Sequence, residues 1–125
     1  MNQGTILIVD DNEDVLFALN LLLKPHFRKV KVSTTPDRIA QFMESDDPDV
    51  ILLDMNFSRD ASSGQEGMEV LHDILKRDAE AVVVMMTAYS DMSKAINAIK
   101  AGATDFVARP WENEKLIATL TAAGK

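Results

Sequence analysis

The sequence predicts a doubly wound α/β fold: a parallel five-stranded sheet in the order 2-1-3-4-5 with helices on both faces, a (βα)5 three-layer sandwich. Three features of the chain lead to it. The runs Ile6-Leu7-Ile8-Val9, Val50-Ile51-Leu52-Leu53 and Val82-Val83-Val84-Met85-Met86 are short and free of polar alternation, as strands buried on both faces must be. Stretches of helical period lie between them, and strands joined by helix-long crossovers run parallel with a right-handed connection. Two weaker runs, Val30-Lys31-Val32-Ser33 and Phe106-Val107-Ala108, read as half-exposed edge strands, which suits positions 2 and 5 of that order.

The helices follow from the same kind of pattern. Val15, Leu16, Leu19, Leu22 and Leu23 make one apolar stripe behind an N-cap at Asn12, with Glu13 and Asp14 favourable to the dipole of the first turn and Pro25 marking the end. Thr35-Pro36 is the N-cap and first position of a second helix that buries Ile39, Phe42 and Met43. A third is drawn by Met68, Leu71, Ile74 and Leu75. Met92, Ala95, Ile96 and Ile99 face the core in a fourth, which stops at Gly102, and Leu116, Ile117 and Leu120 in a fifth. The irregular stretch from Met55 to Gly67, MNFSRDASSGQEG, is rich in turn formers and reads as a long surface loop.

Composition narrows the function. The 125 residues suit one domain spanning 1–125, with 46% hydrophobic and 26% charged residues, as in ordinary globular proteins. The absence of cysteine excludes disulfides, thiolate metal sites and a cysteine nucleophile. A net charge of −7 without a Lys/Arg cluster argues against direct nucleic-acid binding by this chain. No apolar run is long enough to span a membrane, and the start MNQGTILIVDD lacks signal-peptide features, so a cytoplasmic location is expected.

In doubly wound sheets the ligand site lies beyond the carboxyl ends of the strands, near the point where the strand order reverses. Asp10-Asp11, Asp54, Thr87 and Arg109-Pro110 fall at the ends of the first, third, fourth and fifth strands. Three carboxylates at one edge repel each other unless a cation or proton intervenes, and carboxylates, a carbonyl and waters form the ligand set of Mg²⁺. Such an ion stabilises charge on a transferring phosphoryl group. Asp54 is the best-placed nucleophile for an acyl phosphate, with Thr87 and Arg109 available for the remaining phosphoryl oxygens.

These residues resemble the receiver domains of bacterial response regulators. The likeness covers essentially the whole chain and rests on the acidic pair in ILIVDDN, the acceptor in VILLDMN, the hydroxyl and small residue in MMTAYS, and the tail GATDFVARP. Each piece is weak alone, but four in the right order at successive strand ends make a specific signal. The resemblance implies Asp54 as phosphoacceptor, Asp11 as direct metal ligand, Asp10 as ligand through water and Asn56 as donor of a backbone carbonyl, with Mg²⁺ the metal and Mn²⁺ the alternative. It implies Thr87 as the switch hydroxyl and Phe106 as the aromatic that turns inward with it, rearranging the face of the fourth helix, fifth strand and fifth helix. The implied partners are a sensor histidine kinase as phosphoryl donor, an output domain or downstream protein, and a second copy in a homodimer. The segment GATDFVARPWENEKL resembles receivers that precede AAA+ transcription activators. A regulatory phosphoacceptor of this kind is not an enzyme acting on external substrates.

Two features depart from the pattern. Arg109 stands where the family carries lysine, and a planar, bidentate guanidinium is no conservative replacement at a tight phosphate site. The loop after Asp54 is longer than usual, placing Phe57, Arg59 and Asp60 where they could meet a partner, although a tolerated surface insertion explains them as well. His26 and His72 lack companions at metal-ligand spacing, Trp111 is expected to pack at the start of the last helix, and the methionines read as core filling. Three rival functions share parts of this pattern. A flavodoxin-like electron carrier shares the fold but needs a phosphate-cradling first loop where DDNED stands. An aspartyl phosphatase adds a cap domain and a second acid where Asn56 stands, and a degenerate receiver binds partners without phosphorylation.

Overall fold

The computed structural model describes residues 3–55, 65–88 and 92–123. Five strands, β1 (Gln3–Val9), β2 (Phe27–Ser33), β3 (Val50–Asp54), β4 (Val83–Ala88) and β5 (Asp105–Arg109), alternate with helices α1 (Glu13–Leu23), α2 (Ile39–Ser45), α3 (Gln65–Arg77), α4 (Met92–Ala101) and α5 (Asn113–Ala123). All four strand pairings are parallel, and the order β2-β1-β3-β4-β5 is the one expected.

Strand alternation divides the interior into two apolar layers. Ile6, Ile8, Val50, Leu52, Val84, Met86 and Val107 pack on one face against Leu16, Leu19 and Leu23 of α1 and Leu116 and Leu120 of α5. Leu7, Val9, Ile51, Leu53, Val83 and Met85 pack on the other against Ile39 of α2, Leu71 and Ile74 of α3 and Ala98 of α4. Because successive side chains point to opposite faces, every residue of β3 is buried, which is why its sequence shows no polar alternation.

Local capping follows the sequence at α1, where the Asn12 side chain accepts from the backbone N–H groups of Asp14 and Val15 at 2.9 and 3.3 Å. It differs at α2. Thr35 caps a single 3₁₀ turn over Pro36–Arg38, and the α-helix itself begins only at Ile39. The strand boundaries also extend beyond their apolar runs. β2 begins at Phe27 and β5 reaches Arg109, so that Arg109 ends its strand rather than following it, and Thr87 lies inside β4.

The fourth helix corrects the expected apolar face. Ala95 and Ala98 are its buried residues, whereas Ile96 and Ile99 are 52% and 38% exposed. Alanines let this helix approach the sheet closely and turn the isoleucines outward. Gly102 ends α4 at a φ of 121°, a left-handed conformation that an L side chain rarely adopts.

Gly67, in the first turn of α3, lies against the backbone of Met55, the residue after Asp54. A Cβ there would overlap the Met55 carbonyl oxygen. Gly67→Ala is therefore expected to lower unfolding free energy by about 1–3 kcal/mol through overpacking, measured by urea denaturation. Unchanged stability would show that α3 is free to withdraw.

Candidate functional site

The site is built at the carboxyl ends of β1, β3 and β5. The β1–β2 ladder runs one residue past β1, with the Asp10 N–H donating to the Ser33 carbonyl at 3.1 Å, and this continuation buries the Asp10 side chain completely. The chain then turns sharply into α1. Asp10 Oδ1 accepts the Asn12 N–H at 2.9 Å, and Asn12 in turn caps the helix, leaving Asp11 exposed between them. Asp54 ends β3 only 3% exposed, and the Met55 N–H is held by the Met86 carbonyl at 2.9 Å.

Strand alternation places Asp10, Asp54 and Arg109 on the sheet face shared with α1 and α5, since they continue the series Ile6-Ile8, Val50-Leu52 and Val107. Carboxylate oxygens of Asp10, Asp11 and Asp54 lie within 4.8 Å of one another. Arg109 reaches across the end of β4 to meet two of them. Its Nη2 donates to Asp10 Oδ2 at 2.5 Å and lies 3.2 Å from Asp54 Oδ1. A hydrogen-bonded ion pair of this kind lets two buried carboxylates coexist at neutral pH.

Burial pushes the Asp10 carboxyl above the ordinary carboxylate range, and the negative charge of Asp11 adds to the shift. The Asn12 N–H and the Arg109 guanidinium oppose it without cancelling it. The charged form of Asp10 is thus less favourable in the folded protein than in water.

Two further groups mark the site. Thr87 Oγ1 and Arg109 Nε are buried without a hydrogen-bond partner among the described residues. An unsatisfied buried donor costs about 1–3 kcal/mol, so both are suited to an anionic ligand that would accept from them. Thr87 itself lies on the opposite sheet face from Asp54, in series with Val83 and Met85, and Phe106 packs into that same layer. The expected group is therefore brought together in two parts: Asp10, Asp11, Asp54 and Arg109 meet directly, while Thr87 and Phe106 share the α3 and α4 side. Asn56, Phe57, Arg59 and Asp60 lie outside the described residues.

The donor set fits a hard divalent cation. Twice the Mg–O distance is about 4.2 Å, so oxygens up to 4.8 Å apart are bridged after a small closure or through a metal-bound water. Asp10, both of whose oxygens already accept hydrogen bonds, suits the water-mediated role.

The model of the response regulator receiver domain matches residues 6–121. The chain belongs to that family. The structure of the N-terminal signal receiver domain of a two-component response regulator from Bacteroides fragilis superposes with a TM-score of 0.90 at 44% identity, covering 99% of this chain and 98% of that one. The receiver domain of NtrX from Brucella abortus gives 0.84 at 25% identity, with 94% and 96% covered. Over 123 residues the chain is 26% identical to the DNA-binding transcriptional regulator NtrC of Escherichia coli K12, matching 98% of this receiver but only 25% of that protein. The receiver thus spans about a quarter of that regulator's length. No helix among the described residues is long and apolar enough to cross a membrane.

Sequence reasoning found the acids but missed the Arg109–Asp10 pair and the Gly67–Met55 contact. The first carries no local signal, since the partners are 99 positions apart. The second was legible only as a glycine after a loop.

The Asp10 shift has a definite sign. Its folded value lies above the unfolded one, so protonation favours the fold, and stability falls as pH rises through the folded value. In EDTA at neutral pH, Asp10→Asn is expected to melt higher than the parent, with the difference shrinking on acidification. A lower melting temperature at every pH would mean that the Arg109 pair outweighs the burial of charge.

Proposed function

We propose that this receiver accepts a phosphoryl group on Asp54 from the phosphohistidine of a sensor histidine kinase, in a reaction dependent on a divalent cation. The modification switches the face formed by α4, β5 and α5, which controls an output domain or a partner protein. The observation that carries the reading is the meeting of Asp10, Asp11 and Asp54 within 4.8 Å, with a guanidinium nitrogen 3.2 Å from the acceptor.

An oxygen of the Asp54 carboxylate attacks phosphorus, forming the P–O bond as the P–N bond to the donor imidazole breaks and the nitrogen keeps the electron pair. Asp11 and Asp54 would hold a divalent ion directly, Asp10 would do so through water, and Asn56 would offer its backbone carbonyl. Mg²⁺, or Mn²⁺ in its place, would supply the positive charge that neutralises the phosphoryl oxygens and the acids around them. The Arg109 Nε–H and the Thr87 hydroxyl, both buried without a partner among the described residues, are groups that a phosphoryl oxygen would accept from.

Drawing Thr87 toward the phosphoryl group vacates space on the sheet face that Phe106 shares, and Phe106 follows it inward. Phe106 also lines a cavity of about 360 Å³ with Met92, Trp111 and Lys115, on the surface between α4, β5 and α5, so a change at Thr87 is transmitted to a partner-facing surface. Residues 1–125 act as one receiver unit in the cytoplasm, joined to an output module in the manner of the NtrC-like regulators or pairing with a second copy. The chain turns over no external substrate and makes no direct contact with nucleic acid.

A second reading, partner binding without phosphorylation, is favoured by one observation: a nitrogen of Arg109 already stands 3.2 Å from Asp54 Oδ1 as its ion-pair partner. Incubation with Mg²⁺ and acetyl phosphate, read by intact mass, separates the two. The parent chain is expected to gain one phosphoryl group and Asp54→Asn none. Thr87→Ala is expected to keep the adduct but lose the accompanying change in Trp111 fluorescence. A parent chain that binds metal yet takes no phosphoryl group would establish the second reading.

A further inference from the structure

Helix α1 carries apolar residues on both of its faces. It buries Leu16, Leu19 and Leu23 against the sheet, yet Phe17 and Leu21 are 67% and 58% exposed. One turn apart, these two form a stripe along the outer ridge of the helix, with the small, exposed Ala18 beside it. Val32 of β2, itself exposed, stands across a groove of about 390 Å³ from Phe17, lined also by Leu16 and Asn20. Single exposed apolar residues need no explanation, but an aromatic and two aliphatic side chains gathered in one place mark a contact surface.

Charge is laid out along the same ridge. Asp14 lies one turn before Phe17 and Lys24 one turn after Leu21. Both are exposed and, among the described residues, neither has an ion-pair partner within the chain. The four residues are symmetric about position 19, with 17 and 21 two positions from it and 14 and 24 five. A second α1 laid antiparallel across this ridge, with a two-fold axis at residue 19, therefore sets Phe17 against the partner's Leu21 and Asp14 against the partner's Lys24.

We propose that this face is a pairing surface for a second copy of this chain, formed by antiparallel packing of α1 on α1. The contact is isologous, so each apolar and charged group meets its complement twice. A crossing angle of about 20° keeps the two helices together along the 11 residues of α1, about 16 Å. A parallel pair sets Asp14 against Asp14 and brings the two clusters of Asp10, Asp11 and Asp54 side by side, in chains of net charge −7. The antiparallel pair sends those clusters to opposite ends. Exposed ion pairs contribute little strength, so Asp14 and Lys24 fix the orientation while Phe17, Leu21 and the groove beside Val32 supply the attraction. The groove borders β2, the sheet edge opposite β5, so pairing here leaves the face of α4, β5 and α5 open. Pairing through α1 needs no chemistry at Asp54.

Sedimentation equilibrium of the full chain tests the pairing, from about 10 µM to about 1 mM in about 150 mM NaCl, the range that a contact of one helix with another calls for. The parent is expected to show a monomer–dimer equilibrium. Phe17→Ser and Leu21→Ser are each expected to raise the dissociation constant at least about tenfold, since each acts twice across the axis, whereas Ile99→Ser on α4 leaves it unchanged. Lys24→Glu and Asp14→Lys are each expected to weaken pairing about fivefold, and the double reversal Asp14→Lys/Lys24→Glu to restore it to within about twofold. A merely sticky surface gives no such recovery. A parent that stays monomeric at about 1 mM overturns the inference and leaves the face to a different protein. A dimer insensitive to Phe17→Ser, or lost in Ile99→Ser, overturns it by locating the contact elsewhere, and so does a double reversal that stays as weak as either single one. Asp14 also favours the dipole of the first turn. Should Asp14→Lys not fold, Phe17→Ser and Lys24→Glu decide: weakening in both supports the inference, and no change in either overturns it.

Discussion

Two carboxylates buried side by side at the edge of a parallel sheet must share a cation, and this constraint organises the molecule. Asp10 and Asp54 are withdrawn from water by the strand ends that carry them. Transfer of an uncompensated carboxylate into such a setting is too costly for a fold whose net stability is only several kcal/mol. The guanidinium of Arg109, delivered from the far edge of the sheet, supplies positive charge from within the chain. Under the proposed function a divalent ion would add to it. The site's proposed chemistry and the fold's electrostatic balance are therefore the same problem.

The sheet converts that constraint into a division of labour. Its two-residue alternation sends Asp10, Asp54 and Arg109 toward α1 and α5, and Thr87 and Phe106 toward α3 and α4. The chemistry proposed at Asp54 is thereby separated by the sheet from the layer that would carry its consequence outward. The small residues Ala95 and Ala98 seat α4 on that second layer, and Ile96 and Ile99 of the same helix are left exposed.

Much of the fold was legible because burial on both faces leaves a clear trace. The uninterrupted apolar runs of β1, β3 and β4 are what a strand covered on both sides requires, and Asn12 and Gly102 mark helix ends by local hydrogen bonding and a left-handed backbone. Where several helix positions were apolar, periodicity could not choose among them. In α4 the approach to the sheet favoured alanine over isoleucine, a decision made by packing distance rather than hydrophobicity. At Thr35-Pro36 the cap signal was read correctly, but proline and its neighbours closed a 3₁₀ turn before the α-helix began.

Strand order, the three acids at neighbouring strand ends and the cation opposite them follow from amino-acid order alone, because each is written in residues close together in the chain. Which of those charges touch was left to the packing of distant segments. The bond between Arg109 and Asp10 joins residues 99 positions apart, and the seating of Gly67 on Met55 depends on how α3 returns to β3. Periodicity reports which face a side chain takes, but not how far a long side chain reaches along the edge of a twisted sheet. That reach is what placed a guanidinium, rather than open solvent, between the two buried acids.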